Sequence, residues 1–201
     1  MTFRQLTTAP GTMQEAVTFL TWIRDRLNEE HGGHFGVSAN VGTDPSALAI
    51  ASGWQSLGEY ETARASLMAD TQIQSAIRMA SGLFTSAQDS IGRVMRAPGD
   101  RGAIANVNTA SMHMPAMADA VAFALEVAEY VSSNYDSEVG VLTSLTGNRS
   151  GLMFLQYGES MDELAKLGET LEADEEYLAF FKRSEGLIVD GSLEQAMWQL
   201  L

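Results

Sequence analysis

Apolar side chains return at Ala16, Phe19, Leu20, Ile23 and Leu27, three or four residues apart, which gathers them on one face of a predicted helix. Ala120, Phe123, Val127 and Val131 repeat that spacing later in the chain. Ahead of each helix lies a predicted strand, 2–8 and 103–109; in the second, Ala105 and Val107 alternate with Asn106 and Asn108. After each helix two short runs, 35–41 with 47–54 and 139–145 with 152–157, flank turn-rich segments and read as hairpins. Ser56 with Glu59, and Ser160 with Glu163, have the spacing of a reciprocal helix cap and predict a second helix in each half. Asp70 and Asp174 then cap a shorter helix, and a closing strand is expected near 90–96 and 193–200.

These elements match because the chain is duplicated. An ungapped offset of 104 positions pairs Met13 with Met117, Phe19 with Phe123, Gly36 with Gly140, Leu48 with Leu152, Glu59 with Glu163, Asp70 with Asp174 and Gly82 with Gly186. Residues 1–97 and 105–201 are therefore expected to be two repeats joined by a linker at 98–104. The β-α-β-β-α-β order is ferredoxin-like and gives an α+β class, with helices on one face of an antiparallel sheet. Packing the two sheets face to face would cover both free faces and make an α/β barrel within one chain.

Composition narrows the function classes. The net charge is −14, and residues 101–201 carry 16 acids against 5 bases, so nucleic acid and anionic membranes are excluded as expected partners. No cysteine is present, which removes disulfides, thiolate metal sites and a cysteine nucleophile. No apolar leader or span of about 18 apolar residues is found, and a cytoplasmic location is the expectation. Self-association stays open.

The residues that could carry chemistry are few. His31 and His34 form a His-Gly-Gly-His pair without a third ligand nearby, and His113 stands alone, so no metal site is expected. No nucleophile elbow, P-loop or dinucleotide fingerprint occurs, and Glu29/Glu30 and Glu175/Glu176 read as solvated faces. If Ala105 and Val107 face the helices, alternation sends Asn106 and Asn108 into the space between the sheets. Arg4 holds the place of Asn108 in the first repeat, and Trp54, Tyr157 and Trp198 lie near strand ends that could line the same space. Such a set suits a small, mostly apolar ligand, with Asn106 and Asn108 as candidate catalytic groups and Arg4, Trp54, Tyr157 and Trp198 as candidate binding groups. Equally, these side chains could simply fill a barrel interior.

Residues 53–70, GWQSLGEYETARASLMAD, resemble the third-strand-to-second-helix segment of the dimeric α/β-barrel superfamily. The NIPSNAP-like and antibiotic-biosynthesis-monooxygenase-like branches are the most similar. Residues 157–174 carry the pattern more weakly, with Tyr157 displaced from the position of Trp54. The resemblance implies a barrel fold over both repeats and, among the activities of that superfamily, a cofactor-independent oxygenase-like enzyme acting on a small apolar or aromatic molecule. Related oxygenases use an asparagine and a tryptophan in a cavity. Haem-degrading relatives carry an axial histidine on the second helix, and 56–80 and 160–181 contain none, so no haem or other cofactor is expected. The alternative is a non-catalytic ligand-binding or structural barrel.

Overall fold

A computed structural model, describing residues 1–30 and 34–201, places helices and strands in the order the pattern predicts. The first half runs β1 (Thr2–Thr8), α1 (Met13–Glu30), β2 (Phe35–Val41), β3 (Ala47–Ser52), α2 (Leu57–Ala69), α3 (Thr71–Met79) and β4 (Phe84–Arg96). The second runs β5 (Ile104–Ser111), α4 (Met117–Asn134), β6 (Val139–Ser144), β7 (Gly151–Gly158), α5 (Met161–Glu172), α6 (Glu175–Arg183) and β8 (Glu194–Leu200). The fold class is α+β. The sequence places the start of β4 six residues late, because Thr85 to Asp89 are exposed polar and small residues with no apolar alternation to mark a strand.

Two units can be described. Unit 1 comprises Met1–Ile91 with Leu200–Leu201, and unit 2 comprises Gly92–Gln199. The division falls inside β4 rather than at the 98–104 linker, because the first part of β4 pairs with β1 and its end pairs with β6. The unit 1 sheet has the order β4-β1-β3-β2, and that of unit 2 has β8-β5-β7-β6. All these pairs are antiparallel.

In unit 1 the α1 stripe is buried as predicted: Ala16 and Leu20 pack with Leu6, Val37 and Leu48, while Ile23 and Leu27 pack with Ile73. In unit 2 the helix uses smaller residues. Ala120, Ala124, Ala128 and Val131 lie against Val139, Val141 and Leu152. Phe123 is only half-buried, its ring 6.0 Å from Phe180.

Both reciprocal caps form. Ser56 Oγ accepts from Glu59 N at 3.1 Å and Ser160 Oγ from Glu163 N at 3.2 Å. The glutamates reach back one residue further than the serine, accepting from Gln55 N at 2.6 Å and Glu159 N at 2.9 Å. Ser56→Ala and Ser160→Ala should each lower stability by about 1 kcal/mol, measured by urea unfolding. A cost near zero for both would show that the caps are redundant.

The linker glycines serve close approach as well as turning. A Cβ on Gly99 would come within 2.7 Å of Glu138 Cβ, and one on Gly102 would collide with the Gly158 carbonyl. Gly140 of β6 faces Pro98 in the same way, at 2.8 Å from its nitrogen. The segment is thus packed against the ends of β6 and β7.

Asp70 and Asp174 cap α3 and α6 through their Oδ1 atoms, accepting from Gln72 and Ile73 and from Glu176 and Tyr177. The second oxygen ties each cap to the long helix before it. Asp70 Oδ2 takes Arg26, whereas Asp174 Oδ2 accepts from the Tyr130 hydroxyl at 2.6 Å and from Tyr135. The Tyr130 and Tyr135 hydrogen bonds, with the backbone donors, hold the Asp174 carboxyl down at about 2, against an ordinary value of 3.8. A lowered pKa stabilises the fold above the ordinary carboxylate range, and that stabilisation is lost as pH falls. The melting temperature should therefore fall between about pH 4 and about pH 2, and Asp174→Asn should flatten that slope. Identical slopes for the two proteins would contradict this.

Candidate functional site

Strand register decides which side of a sheet each residue occupies, because directly paired residues share a face. Leu152 packs against α4 and pairs with Ala110, so Ala110, Asn108 and Asn106 lie on the helix-covered face of unit 2. This reverses the sequence assignment, which turned Ala105 and Val107 toward the helices. β5 begins with Ile104, Ala105 and Asn106 all buried, and a strand covered on both faces does not show its phase through polarity.

Arg4 also lies on the helix-covered face, two residues from Leu6 and paired with Ile50. Trp54 follows β3 and turns to the same side. Its Nε1 donates to Thr2 Oγ1 at 3.0 Å, and its ring lies 5.5 Å from Phe35 and 5.7 Å from Tyr60 of α2. Tyr157 and Trp198, by contrast, pair with Ala105 from either side and so occupy the other face of unit 2. Tyr157 sits one residue out of register with Trp54, and a one-residue step in a strand changes the face. Burial pushes the Tyr157 phenol above its ordinary pKa, opposed by the nearby Arg101 charge and hydrogen bond. Of the six candidate site residues, four therefore lie on the face of the sheet that bears the helices and two on the other.

The equivalent places differ in chemistry. In unit 1, Arg4 forms a two-pronged ion pair with Asp89, at 2.6 Å and 2.7 Å. The Arg4 hydrogen bond lowers the Asp89 pKa, and the charge of Arg64 on α2 adds to it. In unit 2, Asn108 replaces Arg4 and pairs with Gln195, so neutral amides replace the ions. Asn106 is 8% exposed, and its Oδ1 accepts from Gln195 Nε2 at 2.9 Å. Gln156, paired directly with Asn106, donates from Nε2 to Ser137 Oγ at 2.6 Å. Among the described residues, neither Asn106 Nδ2 nor the Asn108 side chain has a hydrogen-bond partner in the protein. A buried donor in that condition is a place where a ligand or water atom belongs.

Gln156 and Gln195 escaped the sequence reading. Pairing β5 against β7 in the register of β1 against β3 would have placed Gln156 beside Asn106, since Ser52 pairs with Thr2. Leu164 of α5 lies against Gly158, which pairs with Ile104, and Leu164 and Gly168 match Tyr60 and Arg64 of α2 in the 104-residue offset.

His113 does not join this site. His31 lies outside the described residues, and His113 precedes the short turn Met114–Ala116, its N–H donating to Leu187 O at 2.9 Å. No metal-binding group of three His, Cys, Asp or Glu side chains occurs among the described residues. No helix among them is long and apolar enough to cross a membrane.

Solved structures resemble the chain along its whole length. A candidate monooxygenase from Lactobacillus acidophilus NCFM matches 99% of this chain and 92% of its own, with a TM-score of 0.72 and 10% identity. A candidate monooxygenase from Fusobacterium nucleatum matches 100% and 91%, with a TM-score of 0.70 and 8% identity. An anthrone oxidase-like protein matches 100% and 90%, with a TM-score of 0.69 and 12% identity. The chain has the tandem dimeric α/β-barrel fold. No protein-family profile matches the sequence, and no curated relative does. At identities this low the likeness concerns the fold. In this chain one unit carries the Arg4–Asp89 ion pair where the other carries amides.

Proposed function

We propose that the protein is a cofactor-independent oxygenase-like enzyme acting on a small, mostly apolar carbonyl compound, with its site among the unit 2 amides. The observation carrying this reading is the buried Asn106 Nδ2, which lacks an acceptor among the described residues, beside Asn108, whose amide is likewise unpaired. Amide N–H groups held in place donate to a carbonyl oxygen, and donate more strongly once that oxygen carries the charge of an enolate. Asn106 and Asn108 would thus favour loss of the adjacent C–H proton to solvent water, leaving its electron pair on the enolate. An enolate can itself give up electrons to O2, which is why no resident redox group is required. Two similar structures are described as candidate monooxygenases and one as anthrone oxidase-like, which agrees with this chemistry.

Anthrone is the natural probe. Its oxidation consumes one O2 and yields anthraquinone and water. The protein should bind anthrone and accelerate anthraquinone formation, followed by absorbance against a protein-free control. Binding without acceleration would favour a ligand-binding protein, and neither would remove the proposal.

A further inference from the structure

We propose that Gln195 is a positioning residue for the unit 2 site, fixing which end of the Asn106 amide meets the ligand. This deepens the reading above and rests on it. The two ends of a side-chain amide have nearly the same shape and opposite hydrogen-bonding sense, so half a turn about the last torsion exchanges a donor for an acceptor. For a group that must donate to a carbonyl oxygen that half turn is decisive, because an amide oxygen turned toward a developing oxyanion repels it. Something has to hold Asn106 the right way round.

Strand pairing supplies it. Asn106 is paired directly with Met197 on β8, whereas Gln195 is paired with Asn108, one step along the same face. Diagonal neighbours of this kind lie about 7–8 Å apart, within reach of a long side chain. Gln195 makes that reach, and its Nε2 donates to Asn106 Oδ1 at 2.9 Å. With Oδ1 engaged, Nδ2 is the end left for a ligand. Among the described residues the Asn106 side chain makes no other hydrogen bond, so Gln195 sets the orientation.

Unit 1 shows what a different residue in that place would do. Asn108 matches Arg4 in the 104-residue offset, and Arg4 is paired with Asp89, so by strand pairing Gln195 holds the place of Asp89. Asp89 accepts from Arg4 Nε and Nη2. An ionised carboxylate has no proton to donate. At position 195 it would take the Asn106 amide by Nδ2 and leave Oδ1 for the ligand. A donor in that place keeps Nδ2 available. Gln195 is exposed and Asn106 is buried, so a change at 195 leaves the core untouched.

The test is Gln195→Glu made both in wild type and in Asn106→Ala, with anthrone oxidation and melting temperature measured for all four proteins. The added negative charge acts in both backgrounds, whereas reversal of the amide acts only where Asn106 is present, so the difference isolates positioning. Gln195→Glu should lower kcat at least tenfold more with Asn106 present than in the Asn106→Ala background. KM should change less than kcat, because the neutral carbonyl of bound anthrone needs the donor less than the enolate does. The melting temperature should stay close to that of wild type, since a carboxylate still bonds the amide. Equal losses of kcat in the two backgrounds, or no loss in either, would overturn this inference and leave the proposed function standing. A wild type that does not oxidise anthrone would overturn both.

Discussion

Leu48→Ala should destabilise the protein by about 2–5 kcal/mol, a large share of the stability of a unit this size. Leu48 is fully buried and packs with Leu6, Ala16, Leu20 and Val37, so truncation leaves a cavity where α1 meets the unit 1 sheet. Leu152, its equivalent by the 104-residue offset, is 2% exposed in the core beneath α4, and Leu152→Ala should cost a similar amount. Urea unfolding measures both. A loss below about 1 kcal/mol at either site would mean that the helix and sheet are not packed as described.

The second large effect concerns chemistry. The double substitution Asn106→Ala and Asn108→Ala should reduce anthrone oxidation by about a hundredfold to a thousandfold, the usual range for losing donors to a developing oxyanion. Its stability cost should be smaller, about 1 kcal/mol, because the hydrogen bond from Gln195 to Asn106 is the one these side chains make among the described residues. Measured together, turnover and melting temperature separate function from packing. A variant that melts early yet oxidises anthrone normally would remove these residues from the site.

Much of the fold is legible in the sequence, for local reasons. The α1 stripe has only one way to face a core, and Ser56, Ser160, Asp70 and Asp174 bond backbone groups within a few residues, so neighbours alone determine them. The division inside β4 is not local: it depends on β1 and β6 pairing with different parts of one strand, and Thr85 to Asp89 carry no apolar signal of that.

The candidate residues were chosen by type, and their geometry was misplaced. Asn106 and Asn108 stood out, but their side of the sheet is fixed by register with Leu152 on a neighbouring strand. The duplication itself held the missing constraint, since Leu6 maps to Ala110 and so assigns the even-numbered positions of β5 to the helix-covered side. Trp54 and Tyr157, grouped by type, are separated by the same rule.

If the unit 2 amides bind the carbonyl of the ligand, side-chain amide NMR reads it directly. In an 15N-labelled sample with Asn and Gln NH2 resonances assigned by substitution, anthrone should shift Asn106, Asn108 and Gln195. The Trp54 indole N–H, bonded to Thr2 in unit 1, should stay in place. Shifts at Trp54 with Asn106 and Asn108 unmoved, or no shifts at any amide, would contradict the account.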